Sequence, residues 1–260
     1  MIKALVNGSW ETFEEDQLQP GTNIFGFGTG LYETFRTREH QPIFLSQHLD
    51  RLFSSSESID LKPYFQREEI ETMIEQVIKE FPDPDQRTRI LLVPEKVIIY
   101  TMPLDLDLKM YDGVSVMTIP AQRKDPHIKT TNYHVCLDAY QIAKDNNCFD
   151  AILIDENDQV FEGSRSNIFW VRGNDLYTRE TDVLPGITRQ MIIMNSPYPI
   201  YYDKLSLLDL DGLVEVFLTN SGSGIIPVVK VNNSQIGLGR PGPITRDLLD
   251  LYATWMYNES

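Results

Sequence analysis

Cysteine is scarce: Cys136 and Cys148 are the only two in 260 residues. Two thiols cannot build the disulfide framework on which small secreted folds depend, and they suit a reducing compartment. No apolar run approaches the roughly 20 residues of a membrane span. The opening Met1-Ile2-Lys3-Ala4-Leu5-Val6-Asn7-Gly8 lacks the long apolar core of a signal peptide. A soluble, cytoplasmic protein is therefore expected. Basic blocks are missing as well. Lys and Arg total 23 against 38 Asp and Glu, a formal charge of -15, with no Lys/Arg-rich stripe. Nucleic acid and anionic membrane are not expected partners. The acidity is dispersed, at Glu14-Glu15-Asp16, Glu68-Glu69, Asp105 and Asp107, and reads as a solvated surface.

Several common chemistries lack their signatures. His134 and Cys136 are close, but no second pair stands at ligand spacing, so no metal is expected. Ser166 lies in no Gly-x-Ser-x-Gly elbow. Gly26-Phe27-Gly28-Thr29-Gly30 is not a dinucleotide fingerprint, because its spacing differs and a strand, not a helix, follows.

Hydrophobic residues make up 42% of the chain, enough for one large domain or two smaller ones. Strand patterns occur at 2–7, 10–13, 31–37, 43–45, 89–93, 97–100 and 114–119. Leu49, Leu52, Phe53 and Ile59 mark a helix over about 47–59. Ile70, Met73, Ile74, Val77 and Ile78 give a second helical stripe, stopped by Pro82 and Pro84. The polar run Pro120 to Pro126 predicts a linker, with an N-terminal domain at 1–119 and a C-terminal one at 127–260. Beyond it come a helix at about 132–146 and an antiparallel meander through 151–154, 160–162, 168–171 and 176–178. Then follow a helix after Gly186, a strand at 214–219 and a last helix at about 244–257. Strands and helices do not alternate strictly, which predicts α+β and not a doubly wound parallel sheet.

Three features together suggest a cofactor. Lys129 stands in His127-Ile128-Lys129-Thr130-Thr131-Asn132-Tyr133, just ahead of a helix. Glu162 shares a strand face with Val160, where a carboxylate needs a partner. Leu184-Pro185-Gly186-Ile187-Thr188-Arg189 opens a helix, and exposed amides there favour a phosphate. An amine, a carboxylate and an anion seat are what pyridoxal 5'-phosphate requires. The Asn220-Ser221-Gly222-Ser223-Gly224 loop could also wrap an anion, and the Arg51 fork could clamp one. Singly, each has an ordinary reading: a solvated lysine, a turn-edge glutamate, a plain helix start, a turn, a surface ion pair. A near copy of the helix start, Pro241-Gly242-Pro243-Ile244-Thr245-Arg246, leaves open which of the two seats an anion.

In combination the motifs are more specific. Gly28-Thr29-Gly30-Leu31-Tyr32-Glu33-Thr34-Phe35-Arg36 and His48-Leu49-Asp50-Arg51-Leu52 come first, followed in order by the Lys129, Glu162-Gly163-Ser164-Arg165-Ser166-Asn167, Gly186 and Phe217-Leu218-Thr219-Asn220-Ser221 segments and Ile225-Ile226-Pro227-Val228. Over nearly its whole length the chain resembles the class-IV aminotransferases, the fold-type-IV pyridoxal-phosphate enzymes. The resemblance implies two domains with the cofactor between them, in a homodimer. It implies that Lys129 carries the cofactor as a Schiff base and moves the α-proton, and that Glu162 pairs with the ring nitrogen. Arg51, the amides of Ile187 and Thr188, Asn220 and Ser221 would hold the phosphate, and Tyr133 would approach the cofactor's phenolic oxygen. Tyr32, Thr34 and Arg36 would stand on the substrate side. Family members include branched-chain and D-amino-acid aminotransferases and 4-amino-4-deoxychorismate lyase. The strand at 89–93 runs into Val93-Pro94-Glu95-Lys96, without the arginine-and-histidine segment of the D-amino-acid enzymes. An amino-acid aminotransferase is expected. The alternatives are the lyase, acting on an amino-chorismate, and a non-catalytic relative that binds cofactor or a partner protein.

Overall fold

The computed structural model describes residues 1–18 and 30–258, so the Gly26 to Thr29 part of the glycine-rich loop lies outside the described residues. The chain forms two compact units, one of Met1–Asp105, Ile128–Tyr133 and Met256–Ser260, the other of Leu106–His127 and His134–Trp255. Residues 120–126, read from sequence as a linker, lie inside the second unit, and Lys129, read into the C-terminal domain, lies in the first.

The first unit contains β1 (Ile2–Val6), β2 (Ser9–Phe13), β3 (Leu31–Arg38), β4 (Gln41–Pro42), α1 (Leu45–Ser58), α2 (Arg67–Glu80), β5 (Gln86–Val93) and β6 (Lys96–Pro103). The six strands form one antiparallel sheet, ordered β2-β1-β6-β5-β3-β4. Alternation along a strand sends successive side chains to opposite faces. Leu31, Phe35, Ile90, Leu92, Val97 and Ile99 pack with Leu49 and Leu52 of α1 and the α2 stripe, Ile70 to Ile78. Tyr32, Leu91, Val93, Ile98 and Tyr100 form a separate cluster on the opposite face with Ala4 and Val6. Each large apolar side chain buried this way contributes about 1.5–3 kcal/mol. α2 begins with a reciprocal cap, in which the Gln66 amide donates to Glu69 Oε2 at 2.7 Å.

The strand expected at 43–45 does not form. Phe44 takes a left-handed conformation (φ 54°), and α1 starts at the next residue. The short partner of β3 is instead Gln41–Pro42.

The second unit comprises β7 (Val114–Pro120), α3 (His134–Asp145), β8 (Ala151–Ile154), β9 (Gln159–Gly163), β10 (Asn167–Arg172), β11 (Asp175–Thr178), α4 (Ile187–Asn195), β12 (Ile200–Tyr202), β13 (Leu205–Ser206), β14 (Glu215–Asn220), β15 (Gly224–Val231), β16 (Ser234–Gln235) and most of α5 (Pro243–Asn258). Its sheet runs β12-β11-β10-β14-β15-β7-β8-β9-β13, with β16 beside β15. The strand at 114–119, read as N-terminal, is therefore a central strand here, parallel to β8 and β15.

The expected meander is two separate hairpins. β9 pairs with β8 and β13, whereas β10 pairs with β11 and β14. The turn between β9 and β10 carries the chain from one part of the sheet to another. Buried Asp150 fastens it, accepting from Ser166 Oγ at 2.8 Å and also from Ser164 Oγ. The core includes fully buried Trp170. Phe169 and Phe217, directly opposed on β10 and β14, stack at 5.1 Å. Among the described residues no helix is long and apolar enough to cross a membrane.

Candidate active site

The first unit gathers the residues around Lys129. Its backbone oxygen accepts from the Tyr32 amide at 3.0 Å, and Thr130 bridges to Leu31, so the segment lies against the start of β3. The Lys129 amine stands 4.5 Å from the centre of the Tyr32 ring, which meets the Tyr133 ring edge-on at 5.7 Å. Gly30 is required by this approach: a Cβ there would come within 2.8 Å of Thr131 Oγ1 and of Val93 Cγ1. Thr131 Oγ1 is buried without a hydrogen-bond partner.

Tyr32 and Thr34 share one face of β3, as alternation requires. Thr34 Oγ1 accepts from Arg89 Nε at 3.1 Å, and Arg89 Nη1 donates to the Tyr100 hydroxyl at 3.3 Å. Arg89 also lies 5.8 Å from the Tyr32 ring centre. It is half-buried and, among the described residues, makes no ion pair. The sequence reading passed over Arg89 because it looked for a cation beyond the end of β5. Arg36 donates to the Met256 sulfur in the last turn of α5.

Glu33 points to the other face of β3, toward α1. There Arg51 grips it with both arms, Nε to Oε1 at 2.7 Å and Nη2 to Oε2 at 2.6 Å, and His48 Nδ1 lies 2.7 Å from Oε2. All three side chains are buried. Burial pushes the Glu33 carboxyl up, but the Arg51 charge and the bonds from His48 and Arg51 outweigh it and hold it at about 2. Burial pushes His48 down, against the pull of Glu33. Its imidazole is thus neutral near pH 7, with Nε2 buried and unpartnered. Arg51, expected at a phosphate, makes this contact with Glu33. His48 was quoted only as part of a motif, and its spacing of three before Arg51 on a helix is the signal that puts both on one face.

In the second unit Glu162 and Val160 are buried on the same face of β9. The partners a buried carboxylate demands include Arg123, Leu184 and Asn167. Arg123 Nη1 reaches Oε1 at 2.9 Å, while the Leu184 amide and Asn167 Nδ2 reach Oε2 at 2.9 and 3.3 Å. Arg123 comes from the run read as a linker and carries no sequence signal of its own. Glu162 and Arg123 line a cavity of about 290 Å³ with Lys124, Phe161, Arg179 and Asp182.

The two look-alike helix starts differ. At α5, buried Glu215 accepts from the Ile244 and Thr245 amides at 3.2 and 2.8 Å and from Thr245 Oγ1 at 2.6 Å. A carboxylate already fills that anion seat. At α4, Gly186 offers no side-chain cap, and Ile187 and Thr188 are buried behind it, with Thr188 Oγ1 3.1 Å from the Tyr252 hydroxyl. A side chain at Gly186 would have to displace Asn167, since a Cβ would come 2.0 Å from Asn167 Oδ1. Asn220 Oδ1 accepts from the Ser223 amide at 2.7 Å, folding the loop that holds Ser221. Just before it, Thr219 Oγ1 is buried without a partner. An uncapped helix start, an orphaned hydroxyl and a carboxylate ringed by N–H donors fit a phosphorylated pyridinium.

The model of the amino-transferase class IV family matches residues 30–231. The D-alanine aminotransferase of Bacillus licheniformis is 29% identical over 276 residues, covering 95% of this chain and 94% of that protein. The aminodeoxychorismate lyase of Bacillus subtilis (strain 168) is 27% identical over 272 residues, covering 95% and 92%. A crystal structure assigned as a branched-chain amino acid aminotransferase of Thermotoga maritima superposes with a TM-score of 0.87 at 26% identity, over 99% of this chain and 96% of that one. The chain belongs to the class IV aminotransferases, and is an α+β pyridoxal-phosphate enzyme of fold type IV.

Proposed function

We propose that this enzyme is an amino-acid aminotransferase, moving an amino group from an amino acid to a 2-oxo acid. The observation that carries the reading is the buried Glu162 carboxylate, fixed by Arg123, Asn167 and the Leu184 amide. A carboxylate held ionised is the partner a pyridine nitrogen needs if the ring is to accept electrons. When bound, the cofactor supplies that electron sink.

The chain's own residues do the rest. Lys129 Nζ is the amine that would tie the cofactor down and would take and return the α-proton. Tyr32 braces that amine with its ring face. The amides of Ile187 and Thr188, the Asn220-Ser221 loop and Arg51 would hold the phosphate, and Tyr133 would approach the phenolic oxygen. Arg89 receives a substrate carboxylate. It is half-buried, positioned by two hydroxyls and close to the ring that carries the Lys129 amine. Thr34 sets the angle of that guanidinium, and Arg36 stands further along the same strand face. The homodimer implied by the family resemblance and the cytoplasmic location expected from the scarce cysteines complete the proposal.

A second reading is 4-amino-4-deoxychorismate lyase, supported by the 27% identity to the B. subtilis enzyme over 95% of this chain. The purified protein is incubated with pyridoxal phosphate, then assayed with an amino-acid panel plus 2-oxoglutarate and, separately, with 4-amino-4-deoxychorismate. Glutamate formation establishes the aminotransferase. Pyruvate and 4-aminobenzoate without glutamate establish the lyase, and a protein that binds no cofactor defeats both.

A further inference from the structure

Arg123 belongs to none of the motifs that pointed to the cofactor, yet it makes an ion pair with Glu162. The pair is 2.9 Å long, with side chains 14% and 5% exposed. The contacts of the carboxylate with Leu184, Asn167 and Arg123 differ in kind. Oε2 rests on a backbone amide and an asparagine, Leu184 and Asn167, both neutral donors. Asn167 is itself anchored, donating to the Leu184 oxygen at 2.8 Å. These two fix where the carboxylate points. Oε1 meets a full positive charge, which affects how readily the group takes a proton. Arg189 is a buried guanidinium whose charge reaches Glu162, but its hydrogen bonds go to the Thr178 hydroxyl and the Arg179 oxygen. The charges of Tyr202 and Glu180 also reach Arg189. The cavity beside Glu162 adds Lys124 and Arg179 to its cations and Asp182 to its acids, and Asp182 is engaged by Arg179 at 3.4 Å.

We infer that Arg123 is a positioning residue that keeps Glu162 ionised and so tunes how tightly the cofactor's ring nitrogen holds its proton. The inference rests on Glu162 pairing with that nitrogen. Without Arg123, Glu162 would still be oriented by Asn167 and Leu184, but it would compete with the ring for the proton. The ring would then be a poorer or differently poised electron sink, while cofactor binding through the phosphate persists.

The test begins on cofactor-free protein. Carbon-13 NMR follows the Glu162 carboxyl through a pH titration, the signal being assigned by its loss in Glu162→Gln. In Arg123→Gln the midpoint should rise by about one pH unit or more, the size expected for losing an adjacent opposite charge. Arg123→Lys, which keeps the charge and loses the fork, should stay within about half a unit of the parent. An unchanged midpoint in folded Arg123→Gln overturns the inference. If Arg123→Gln does not fold, Arg123→Lys decides, and a shift of a full unit there overturns it. A second arm loads each protein with pyridoxal phosphate and titrates its visible absorption. The midpoint should move upward in Arg123→Gln, while coincident titrations overturn the effect on the ring. A parent protein that takes up no pyridoxal phosphate defeats the functional reading, whereas the carboxyl titration still judges the ion pair.

Discussion

Arg51 and Glu33 form a two-armed ion pair beneath β3, at 2.7 and 2.6 Å, with both side chains buried and His48 completing the group. It ties helix α1 to the strand that bears Tyr32 and Thr34. Buried pairs rarely beat a well-packed apolar substitute, but breaking one by removing a single partner typically costs about 3–5 kcal/mol. The group therefore matters most for what happens when it is protonated.

Acid should weaken this protein in two stages. Folding lowers the Glu33 carboxyl from 4.5 to about 2 and also lowers His48 from 6.5. In both cases the unfolded chain takes the proton first, so stability is complete above the unfolded value and is lost as pH falls toward the folded one. The His48 share fades below about 6.5. The Glu33 share fades between 4.5 and about 2 and amounts to about 3 kcal/mol. Urea unfolding between pH 7 and pH 3 checks this. Glu33→Gln should be less stable at pH 7 and lose less on acidification than the parent. Equal acid slopes in the two proteins would contradict the linkage.

The twin helix starts give a pair of opposite outcomes. Glu215→Ala strips three hydrogen bonds from the start of α5. Bonds to a charged group contribute about 1.5–3 kcal/mol each, so stability should fall by at least that while cofactor affinity stays within about threefold. Gly186→Ala meets no backbone strain, since φ is -64°, but its Cβ must displace Asn167 from 2.0 Å. Asn167 supports Glu162 and Leu184, so the dissociation constant for pyridoxal phosphate should rise at least about tenfold. Melting temperature and fluorescence titration of both variants check the pair. Loss of cofactor affinity in Glu215→Ala alone would show that the wrong helix start was chosen.

These two starts also show what a sequence can and cannot carry. Both read Gly-x-Thr-Arg or nearly so, and what separates them is Glu215, on β14 and far from α5 along the chain. Arg123 and Glu162 meet across 39 positions for the same reason. Helices α1 and α2 were legible because their apolar residues recur every three or four positions, a purely local signal. β15 was not recognised as a strand. Pro227, which has no amide to donate, interrupts its pattern while facing Phe217 of β14. The meander failed at one turn, where Asp150, from the start of another strand, redirects the chain between β9 and β10. The motifs around Lys129, Glu162 and Gly186 were legible only in combination, through the family they resemble, because each alone reads as an ordinary loop, strand edge or helix start. Arg89 was not, because its use depends on Thr34 and Tyr100 standing on neighbouring strands.

Lys129 is the residue whose loss should be absolute. Lys129→Ala removes the amine above Tyr32 without touching the β3 contact, which runs through the backbone oxygen. The fold and its melting temperature should survive within a few degrees. Turnover should fall by at least about a thousandfold, in the range for a lost acid–base group. Borohydride reduction followed by peptide mapping should place the cofactor on Lys129 in the parent and on no peptide in the variant. A cofactor attached elsewhere would overturn the assignment.

Arg89 predicts a different kinetic signature. Its guanidinium is oriented by Thr34 and Tyr100 before any substrate arrives, so it can grip a carboxylate with little reorganisation. A charged hydrogen-bonded pair is worth about 1.5–3 kcal/mol, or about 10–100-fold in affinity. Arg89→Met should raise KM for the amino acid by that factor and change kcat much less, because the reacting amine and the Glu162 partner are intact. Arg89→Lys should recover only part of the loss, since an ammonium keeps the charge but not the fork. Substrate amides, which lack the carboxylate charge, should be indifferent to both variants. A loss that is equal for amide and acid, or that falls on kcat alone, would place Arg89 in the framework of β3, β5 and β6 and leave the substrate carboxylate to another group.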